Sequence, residues 1–280
     1  MQRRVFRKLP IKEDLLFTYE PVMHFLDVRD SRYLSVREET SFLSKVAPSL
    51  VFYPQLISVV YQAAAKAKNG SYSENDWALD SLRVLRLLEK AGLQFSISGL
   101  QNLEKLDGPC VFIGNHMSIM ETLILPVIIV PYTNVTFVVK ESLLDYPVFK
   151  YVMRSRNPVA VTRTNPRQDL KKVMSEGVDR LQNGISVIVF PQTTRSTTFD
   201  PLQFGSIGTK LAGRADVPII PMALKTDAWR NGKFTKDLGK LCPEIPVKIA
   251  FGEPLRVSGK GAEQHQQVAD FIQSKLQEWK

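Results

Sequence analysis

Short apolar runs recur through the chain after residue 94, and stretches of helical character separate them. The runs lie near residues 95–98, 110–114, 135–139, 159–162, 186–190, 217–223 and 247–251. Apolar residues at helical spacing lie near 118–130, 142–154, 167–183 and 204–215, with a last stripe on Val268, Phe271, Ile272, Leu276 and Trp279. Strands that alternate with helices predict a two-layer or sandwich α/β domain with a mostly parallel or mixed central sheet.

The N-terminal quarter of the chain has a different pattern. Residues 46–65 carry no charged side chain. The apolar residues share one helical stripe, made of Leu56, Val59, Val60 and Ala63, with Phe52 and Tyr53 at its start. Pro48 and Pro54 argue against a helix that crosses a bilayer. A helix in the membrane interface, a helix buried in the fold and a true span remain open, and the pattern favours attachment over crossing.

A turn-rich break at residues 69–76 follows this segment. Ser73 and Asp76 have the spacing of a helix cap. The helix that they begin carries Trp77, Leu82, Leu85 and Leu88 at helical spacing and is predicted to end near Gly92. We therefore divide the chain into an N-terminal helical, membrane-associating segment (1–75) and an α/β domain (76–280).

The balance of charge points to an anionic partner. The formal net charge of the 280 residues is +9, and the isoelectric point is near 9.5. Part of the excess lies in the first twelve residues, on Arg3, Arg4, Arg7, Lys8 and Lys12. Nucleic acid, a membrane surface and a phosphorylated substrate all fit such a balance, and composition alone does not choose among them. Beside an anionic leaflet, each such charge adds about 1 kcal/mol of attraction.

Cysteine and histidine usage narrows the chemistry. Two cysteines, Cys110 and Cys242, do not make a disulfide framework, and three scattered histidines lack the spacing of a metal site. We expect both cysteines to be buried and reduced, no metal or cofactor, and a cytoplasmic setting.

The strongest candidate for chemistry is a histidine that follows the apolar run at 110–114. His116 and Glu121 are five residues apart, too far around a continuous helix to face each other. We therefore expect His116 in the turn after a strand, with Glu121 folding back from the first helical turn. An alternative needs no chemistry, because Ser118 and Glu121 also have the spacing of a capping box.

Five short motifs accompany this pair in a recognisable order. They are Asn-His-x-Ser at 115–118 after Gly-Pro at 108–109, Val-Ala-Val-Thr-Arg at 159–163, Phe-Pro-Gln-Thr-Thr-Arg-Ser at 190–196, Val-Pro-x-x-Pro at 217–221, and Phe-Gly-Glu-Pro-Leu at 251–255. The order resembles that of the PlsC-like family of 1-acylglycerol-3-phosphate acyltransferases, which would make residues 76–280 a PlsC-like domain. Two positions depart from the family pattern. Glu121 replaces the more usual aspartate, and Gln192 with Thr193 replaces Glu-Gly in the third motif.

The resemblance implies an O-acyltransferase that moves a fatty acyl group from acyl-CoA or acyl carrier protein to the hydroxyl of a lysophospholipid-like acceptor. His116 is the implied general base, oriented by Glu121. The implied substrate-binding residues are Arg163, Gln192, Thr194, Arg195 and Ser196. The expected partners are the lipid acceptor, the acyl donor and an anionic membrane surface, at the cytoplasmic face and without nucleic acid. Two alternatives remain: an acyltransferase for another lyso-lipid, such as an amino-acid-containing one, and a basic lipid- or nucleic-acid-binding protein with a decayed site.

Overall fold

The computed structural model describes residues 25–36, 44, 46–192, 194–232 and 235–280. In this part of the chain, eight strands form one sheet. The strands are β1 (Tyr33–Leu34), β2 (Phe95–Ser98), β3 (Val111–Gly114), β4 (Val135–Lys140), β5 (Val159–Val161), β6 (Ser186–Val189), β7 (Ile219–Lys225) and β8 (Val247–Phe251). Their order across the sheet is β1-β2-β8-β7-β3-β6-β4-β5.

Helices cover both faces of the sheet. The α-helices are α1 (Pro48–Lys68), α2 (Glu74–Lys90), α3 (Gln101–Glu104), α4 (Met120–Ile129), α5 (Phe149–Ser155), α6 (Pro166–Lys172), α7 (Val178–Gln182), α8 (Ile207–Ala215) and α9 (Ala262–Glu278). Short 3₁₀ turns lie at Glu141–Asp145 and Pro201–Gln203, and a π-helical turn at Val173–Gly177 joins α6 to α7.

Successive residues of the central strands serve two separate cores. Phe112 packs with residues of α1, α2, α4 and α5. Its neighbours Val111 and Ile113 pack with residues of α7, α8 and α9 on the other face. Side chains on a strand point alternately to its two faces, so a strand covered on both sides reads as a continuous apolar run. The predicted α/β sandwich is confirmed, with three layers.

The sheet is mixed because its strands run in two directions. Strands β5, β4, β6, β3 and β7 are mutually parallel. Strand β8 pairs antiparallel with β7, and β2 pairs parallel with β8. The carboxyl ends of five strands therefore meet at one edge, whereas β2 and β8 end at the opposite edge. Strand β1, which the sequence pattern did not predict, pairs antiparallel with β2.

The segment at 251–255 serves this opposite edge. Gly252 donates its N–H to the carbonyl of Pro221, and Leu255 pairs with Ile219. The carbonyl of Phe251 also accepts a hydrogen bond from Asn102, at 3.1 Å. A side chain at Gly99 would collide with this carbonyl, because a Cβ atom there would lie 2.1 Å from its oxygen. The fifth motif therefore ties strands together, far from the edge that carries His116.

Two predicted helices differ in detail from those observed. The stretch predicted as a helix at 142–154 is a 3₁₀ turn followed by α5, and Pro147 lies between them. Proline disfavours helical geometry at the preceding residue, which explains the break. The helix predicted at 167–183 spans α6, the π-helical turn and α7. The cap of α2 is confirmed, because Ser73 and Asp76 exchange both hydrogen bonds of a capping box.

Helix α1 packs against α2 and α5. The stripe that the sequence singled out faces inward, with Phe52, Leu56, Val59 and Ala63 buried. The opposite face instead leaves Leu50, Ile57 and Tyr61 exposed. The buried-helix alternative thus holds for the predicted stripe, and any membrane contact would use the other face.

Other predictions on the N-terminal region have different outcomes. The basic residues of the first twelve positions lie outside the described part of the chain. Among the residues that are described, no helix is both long enough and apolar enough to cross a bilayer.

Cys110 and Cys242 are both free and buried, as expected, and burial raises the pKa of the Cys110 thiol to about 12.

Candidate active site

His116 lies in the turn between β3 and α4, at the edge where the five parallel strands end. The turn is anchored by Asn115, whose side chain bonds both main-chain polar groups of Leu224 in β7. The main-chain pairing of β3 with β7 ends at Gly114 and Met222. The side chain of Asn115 extends the hydrogen bonding between these strands by one residue. Pocket-forming side chains at the carboxyl ends of parallel strands are the usual arrangement of α/β enzymes.

His116 and Glu121 form a buried pair. The Nδ1 atom of His116 lies 2.6 Å from Oε2 of Glu121. The side chain of Glu121 is fully buried, and that of His116 is 9% exposed. Because a carboxylate only accepts, Nδ1 carries the proton and Nε2 is left with its lone pair. The pair thus has the geometry that the sequence predicted.

The Glu121 carboxylate also has the capping role that the sequence left open. Its Oε1 accepts hydrogen bonds from the N–H groups of Met117 and Ser118, at 2.9 and 3.0 Å. The hydroxyl of Thr226 donates to the same oxygen. One oxygen therefore caps the turn while the other holds the imidazole, so the two interpretations describe the same carboxylate.

Thr226 was missed by the sequence analysis. It lies directly after β7, is fully buried and bonds both Glu121 and Ser118, the latter at 3.1 Å. Thr226 is the second residue after the apolar run 219–224, just as His116 is the second residue after the run at 110–114, so the same rule would have selected Thr226. The sequence could not show that these two strand ends are adjacent, because the strands lie more than 100 residues apart.

The third motif lies against His116 on three sides. Phe190 stacks on the imidazole with ring centroids 4.5 Å apart and an interplanar angle of 4°. Gln192 accepts a hydrogen bond from the His116 N–H at 2.6 Å, and Ser196 donates its N–H to the His116 carbonyl at 2.9 Å. The structure thus places Gln192 and the Ser196 main chain against the turn that carries His116. Thr193 lies outside the described residues.

Arg163 reaches the same region from the end of β5. Its backbone is left-handed, with φ near 62°. The buried Asp169 holds this conformation by accepting the N–H groups of Thr162 and Arg163, at 2.8 and 2.7 Å. Burial alone would raise the pKa of Asp169, but these hydrogen bonds outweigh it and hold the pKa below its usual range.

Arg163 and Arg195 are close enough to repel each other. Arg163 is exposed as a whole residue, but its guanidinium is partly shielded from solvent. This desolvation lowers the pKa of Arg163, and the charge of Arg195 lowers that pKa further. Two guanidinium groups in one site provide fixed donors for a bidentate oxyanion such as phosphate.

The loop between β7 and β8 adds charges that the sequence analysis did not select. Asp237 forms an ion pair of 2.7 Å with Arg195. Lys236 donates to the hydroxyl of Thr194 at 3.1 Å. The loop is tied to α1, because Tyr53 donates to the carbonyl of Gly239 and Leu241 donates its N–H to the Ser49 hydroxyl. Arg195 and Thr194 thus contact this loop directly.

A cavity of about 790 Å³ joins these groups. One end is polar and is lined by His116, Arg163, Arg195, Lys236 and Asp237. The remainder runs between α1, α2, α5 and β4 and has an apolar lining that includes Leu56, Val84, Phe137, Val139 and Val152. An imidazole at the junction of a mainly cationic end and an apolar channel suits a substrate that is both anionic and hydrophobic.

Comparisons with known proteins identify relatives of this chain among acyltransferases. Residues 94–225 match the family model described as Acyltransferase. A 1-acyl-sn-glycerol-3-phosphate acyltransferase of Pseudomonas aeruginosa is 26% identical over 72% of this chain and 76% of its own length. A chloroplastic 1-acyl-sn-glycerol-3-phosphate acyltransferase of Brassica napus is 29% identical over 46% of this chain, which covers about a third (36%) of that protein.

A solved structure shares the fold. The crystal structure of PlsC, the 1-acyl-sn-glycerophosphate acyltransferase from Thermotoga maritima, superposes with a TM-score of 0.60 over 83% of this chain and 95% of the other. The sequence identity is 21%, so the likeness concerns the fold alone. The matched family region runs from β2 to the end of β7 and includes His116, Glu121, Arg163 and Arg195.

Proposed function

We propose that the chain is a PlsC-like acyltransferase and that it esterifies 1-acylglycerol-3-phosphate with a fatty acyl group from acyl-CoA or acyl carrier protein. One observation carries this proposal above the others. The His116 imidazole, held through Nδ1 by a buried carboxylate, lines a cavity that is cationic at one end and apolar along the rest. Lysophosphatidate has the matching halves, a phosphate and a fatty acyl chain.

The reaction is a direct transfer of the acyl group between two bound substrates. Nε2 of His116 takes the proton of the acceptor hydroxyl as its oxygen attacks the thioester carbonyl. Glu121 holds the Nδ1 tautomer and stabilises the imidazolium that forms. The new C–O bond then replaces the C–S bond, and the imidazolium returns its proton to the thiolate. Thiols have a reference pKa of about 8.5, so the sulfur leaves readily and no covalent enzyme intermediate is needed.

The cationic end of the cavity is the proposed site for the acceptor phosphate. Arg163 and Arg195 supply planar donors, and Lys236 and the Thr194 hydroxyl lie beside them. The apolar channel between α1, α5 and β4 is the proposed site for an acyl chain, because most of the side chains that line it are apolar.

We also propose a monotopic, peripheral attachment at the cytoplasmic face of a membrane. Ile57, Tyr61, Tyr146 and Leu238 are exposed, and the same side chains line the cavity. Exposed apolar side chains around the opening of a lipid-binding cavity favour contact with a bilayer from which the substrate enters. The basic balance of the chain would add attraction to anionic lipid.

A second acceptor class has one observation in its favour. Asp237 places a carboxylate beside Arg195, at the cationic end of the cavity. The amino group of an amino-acid-containing lyso-lipid would form an ion pair with this carboxylate. A decayed site is disfavoured, because the hydrogen bond between His116 and Glu121 is intact and Glu121 also caps the turn.

The test is acyl transfer by the purified chain in detergent or mixed micelles. Radiolabelled palmitoyl-CoA and palmitoyl carrier protein are offered with lysophosphatidate, or with a lyso-ornithine lipid as the alternative acceptor. We expect phosphatidate to form, and His116→Ala to reduce the rate by at least about 10²-fold. No product from either acceptor, or an undiminished rate in a folded His116→Ala variant, would overturn the proposal.

A further inference from the structure

Gln192 occupies the position where the third motif of the family has glutamate. Its side chain is 9% exposed and contacts the turn that carries His116. Oε1 of Gln192 accepts a hydrogen bond from the main-chain N–H of His116 at 2.6 Å. A main-chain N–H can only donate, so the amide must present its oxygen here, and the orientation of the side chain follows.

The same loop holds the other polar group of the His116 main chain. Ser196 donates its N–H to the His116 carbonyl at 2.9 Å. Phe190 stacks on the imidazole from one side, and Glu121 bonds Nδ1. His116 is thus bonded at its N–H, its carbonyl and its ring, and the first of these contacts belongs to Gln192 alone.

We propose that Gln192 is a positioning residue that fixes the His116 turn without adding a second negative charge beside the His116–Glu121 pair. The inference rests on the proposed function, because it takes His116 to be the base. A glutamate at this position would make the same hydrogen bond and would also favour the imidazolium, which cannot accept a proton. The amide therefore keeps more of the base in its neutral form at a given pH.

Other charged groups around His116 set the background for this effect. Glu121 contacts the imidazole directly and favours its protonation. The remaining charged residues that line the same cavity are Asp80, Lys140, Arg163, Arg195, Lys236 and Asp237, and Tyr61, Tyr72 and Tyr146 line it as well. Four of the six are cationic and oppose protonation. A carboxylate at residue 192 would bond the His116 main chain. We therefore infer that its charge would lie closer to the imidazole than the charges of these six residues do.

Three variants test the proposal. Gln192→Met keeps the volume and removes the acceptor, Gln192→Glu keeps the acceptor and adds a charge, and Gln182→Glu is the matched control. Gln182 is exposed at the end of α7, before β6 begins, and so lies at the edge of the sheet away from His116.

The kinetic expectation separates positioning from substrate binding. Gln192→Met should lower kcat on the order of 10- to 100-fold, with little change in KM for the acceptor, because the base is misplaced. Gln192→Glu should recover most of this rate at alkaline pH, with the acid limb of the kcat profile about one pH unit higher. Gln182→Glu should leave the profile in place. A raised acceptor KM with unchanged kcat in Gln192→Met would overturn the proposal, because Gln192 would then bind substrate.

A second measurement does not depend on turnover. The chain has three histidines, so NMR of histidine-labelled protein resolves few ring signals, and loss of one signal in His116→Ala identifies His116. The titration midpoint of that signal should move up by about one pH unit in Gln192→Glu and stay unchanged in Gln182→Glu. Equal midpoints in wild type and Gln192→Glu would overturn the inference. A shifted midpoint in a protein that transfers no acyl group would instead overturn the proposed function.

Discussion

The side chain of Asn115 bonds the main chain of Leu224 in the way that a residue of a neighbouring strand would. Its Nδ2 donates to the Leu224 carbonyl at 2.7 Å, and its Oδ1 accepts the Leu224 N–H at 2.9 Å. Both contacts are buried, and they hold β7 against the residue that precedes His116. The end of β3 is thereby fixed at the point where the chain leaves the sheet.

Asn115→Leu should therefore destabilise the fold as well as the site. The substitution leaves a buried N–H and a buried carbonyl without partners, which costs about 2–4 kcal/mol in total. Urea unfolding measures the loss. Asn134→Leu is the control, because the Asn134 side chain is exposed and makes no hydrogen bond within the described residues, and this substitution should change the free energy of unfolding by less than about 0.5 kcal/mol. Equal stability of the two variants would contradict the pairing role.

Glu121→Gln should separate catalysis from capping. A glutamine can keep its oxygen toward the Met117 and Ser118 N–H groups, so its amide nitrogen would face Nδ1 of His116. That nitrogen donates, which forces the imidazole into the other tautomer and puts the proton on Nε2. We expect turnover to fall by roughly 10³- to 10⁴-fold, the scale seen when a triad acid becomes an amide.

Thermal melting accompanies the kinetic measurement on Glu121→Gln. The melting temperature should change by only a few degrees, because most of the hydrogen bonds to the side chain remain. If turnover were retained while the melting temperature fell, the carboxylate would serve only as a cap.

Arg163→Gln and Arg195→Gln should act on the acceptor. Loss of one charge-assisted hydrogen bond to phosphate should raise KM for lysophosphatidate about 10- to 100-fold. Arg167→Gln on α6 is the control, because Arg167 is exposed and does not line the cavity. With monoacylglycerol, which has no phosphate, the two variants should match wild type. An equal loss on both acceptors would contradict phosphate binding by these arginines.

Leu50→Asn combined with Ile57→Asn should weaken membrane binding and leave the fold intact. These side chains are 74% and 51% exposed, whereas Phe52 and Leu56 of the same helix are buried in the core. Removing the whole helix would strip the core, so point substitutions are the sharper test. Sedimentation with vesicles of phosphatidylglycerol and phosphatidylcholine should fall at least about tenfold.

Leu202→Asn provides the matched control for the membrane test. Leu202 is 97% exposed but lies in the 3₁₀ turn before α8, outside the lining of the cavity. Its loss should leave sedimentation unchanged. Full binding by the Leu50/Ile57 double variant would contradict contact through this face of α1.

Asp76 should contribute stability that depends on pH. Its pKa is held well below its usual range, first by the hydrogen bond from Lys66 and then by those from Ser73. A carboxyl with a lowered folded-state pKa stabilises the fold above its unfolded pKa, about 3.9, and loses that contribution as pH falls toward the folded value. The difference in unfolding free energy between wild type and Asp76→Asn should therefore be largest near pH 7 and shrink below pH 4. Urea unfolding at pH 7, 5 and 3 measures it.

The sequence predicted seven of the described strands closely, because six of them are mainly apolar runs and β2 alternates apolar and polar residues. Strand β1 escaped prediction because two residues at a sheet edge, Tyr33 and Leu34, make no run. The direction of β8 was also beyond the pattern, since periodicity identifies a strand but not its neighbour. Tertiary packing decides both features.

Within the candidate site, local spacing located His116 and Glu121, and their contact is as expected. Gln192, which was predicted to bind the acceptor, bonds the His116 main chain, and its contact with the acceptor stays a prediction. Thr226, Lys236 and Asp237 come from segments distant in sequence, so only the folded chain shows their proximity. Spacing along the chain therefore identifies the His116–Glu121 pair, whereas the groups that hold this pair come from tertiary structure.

The reversal of β8 relative to β7 has a practical consequence for engineering. Glu253 and Leu255 follow β8 at the edge of the sheet opposite His116, where Glu253 pairs with the exposed Lys105 at 2.8 Å. Libraries that vary this edge can be screened for heat resistance alone, and libraries at the His116 edge for acceptor choice alone. The two properties can thus be optimised in parallel and combined afterwards, because widely separated substitutions add.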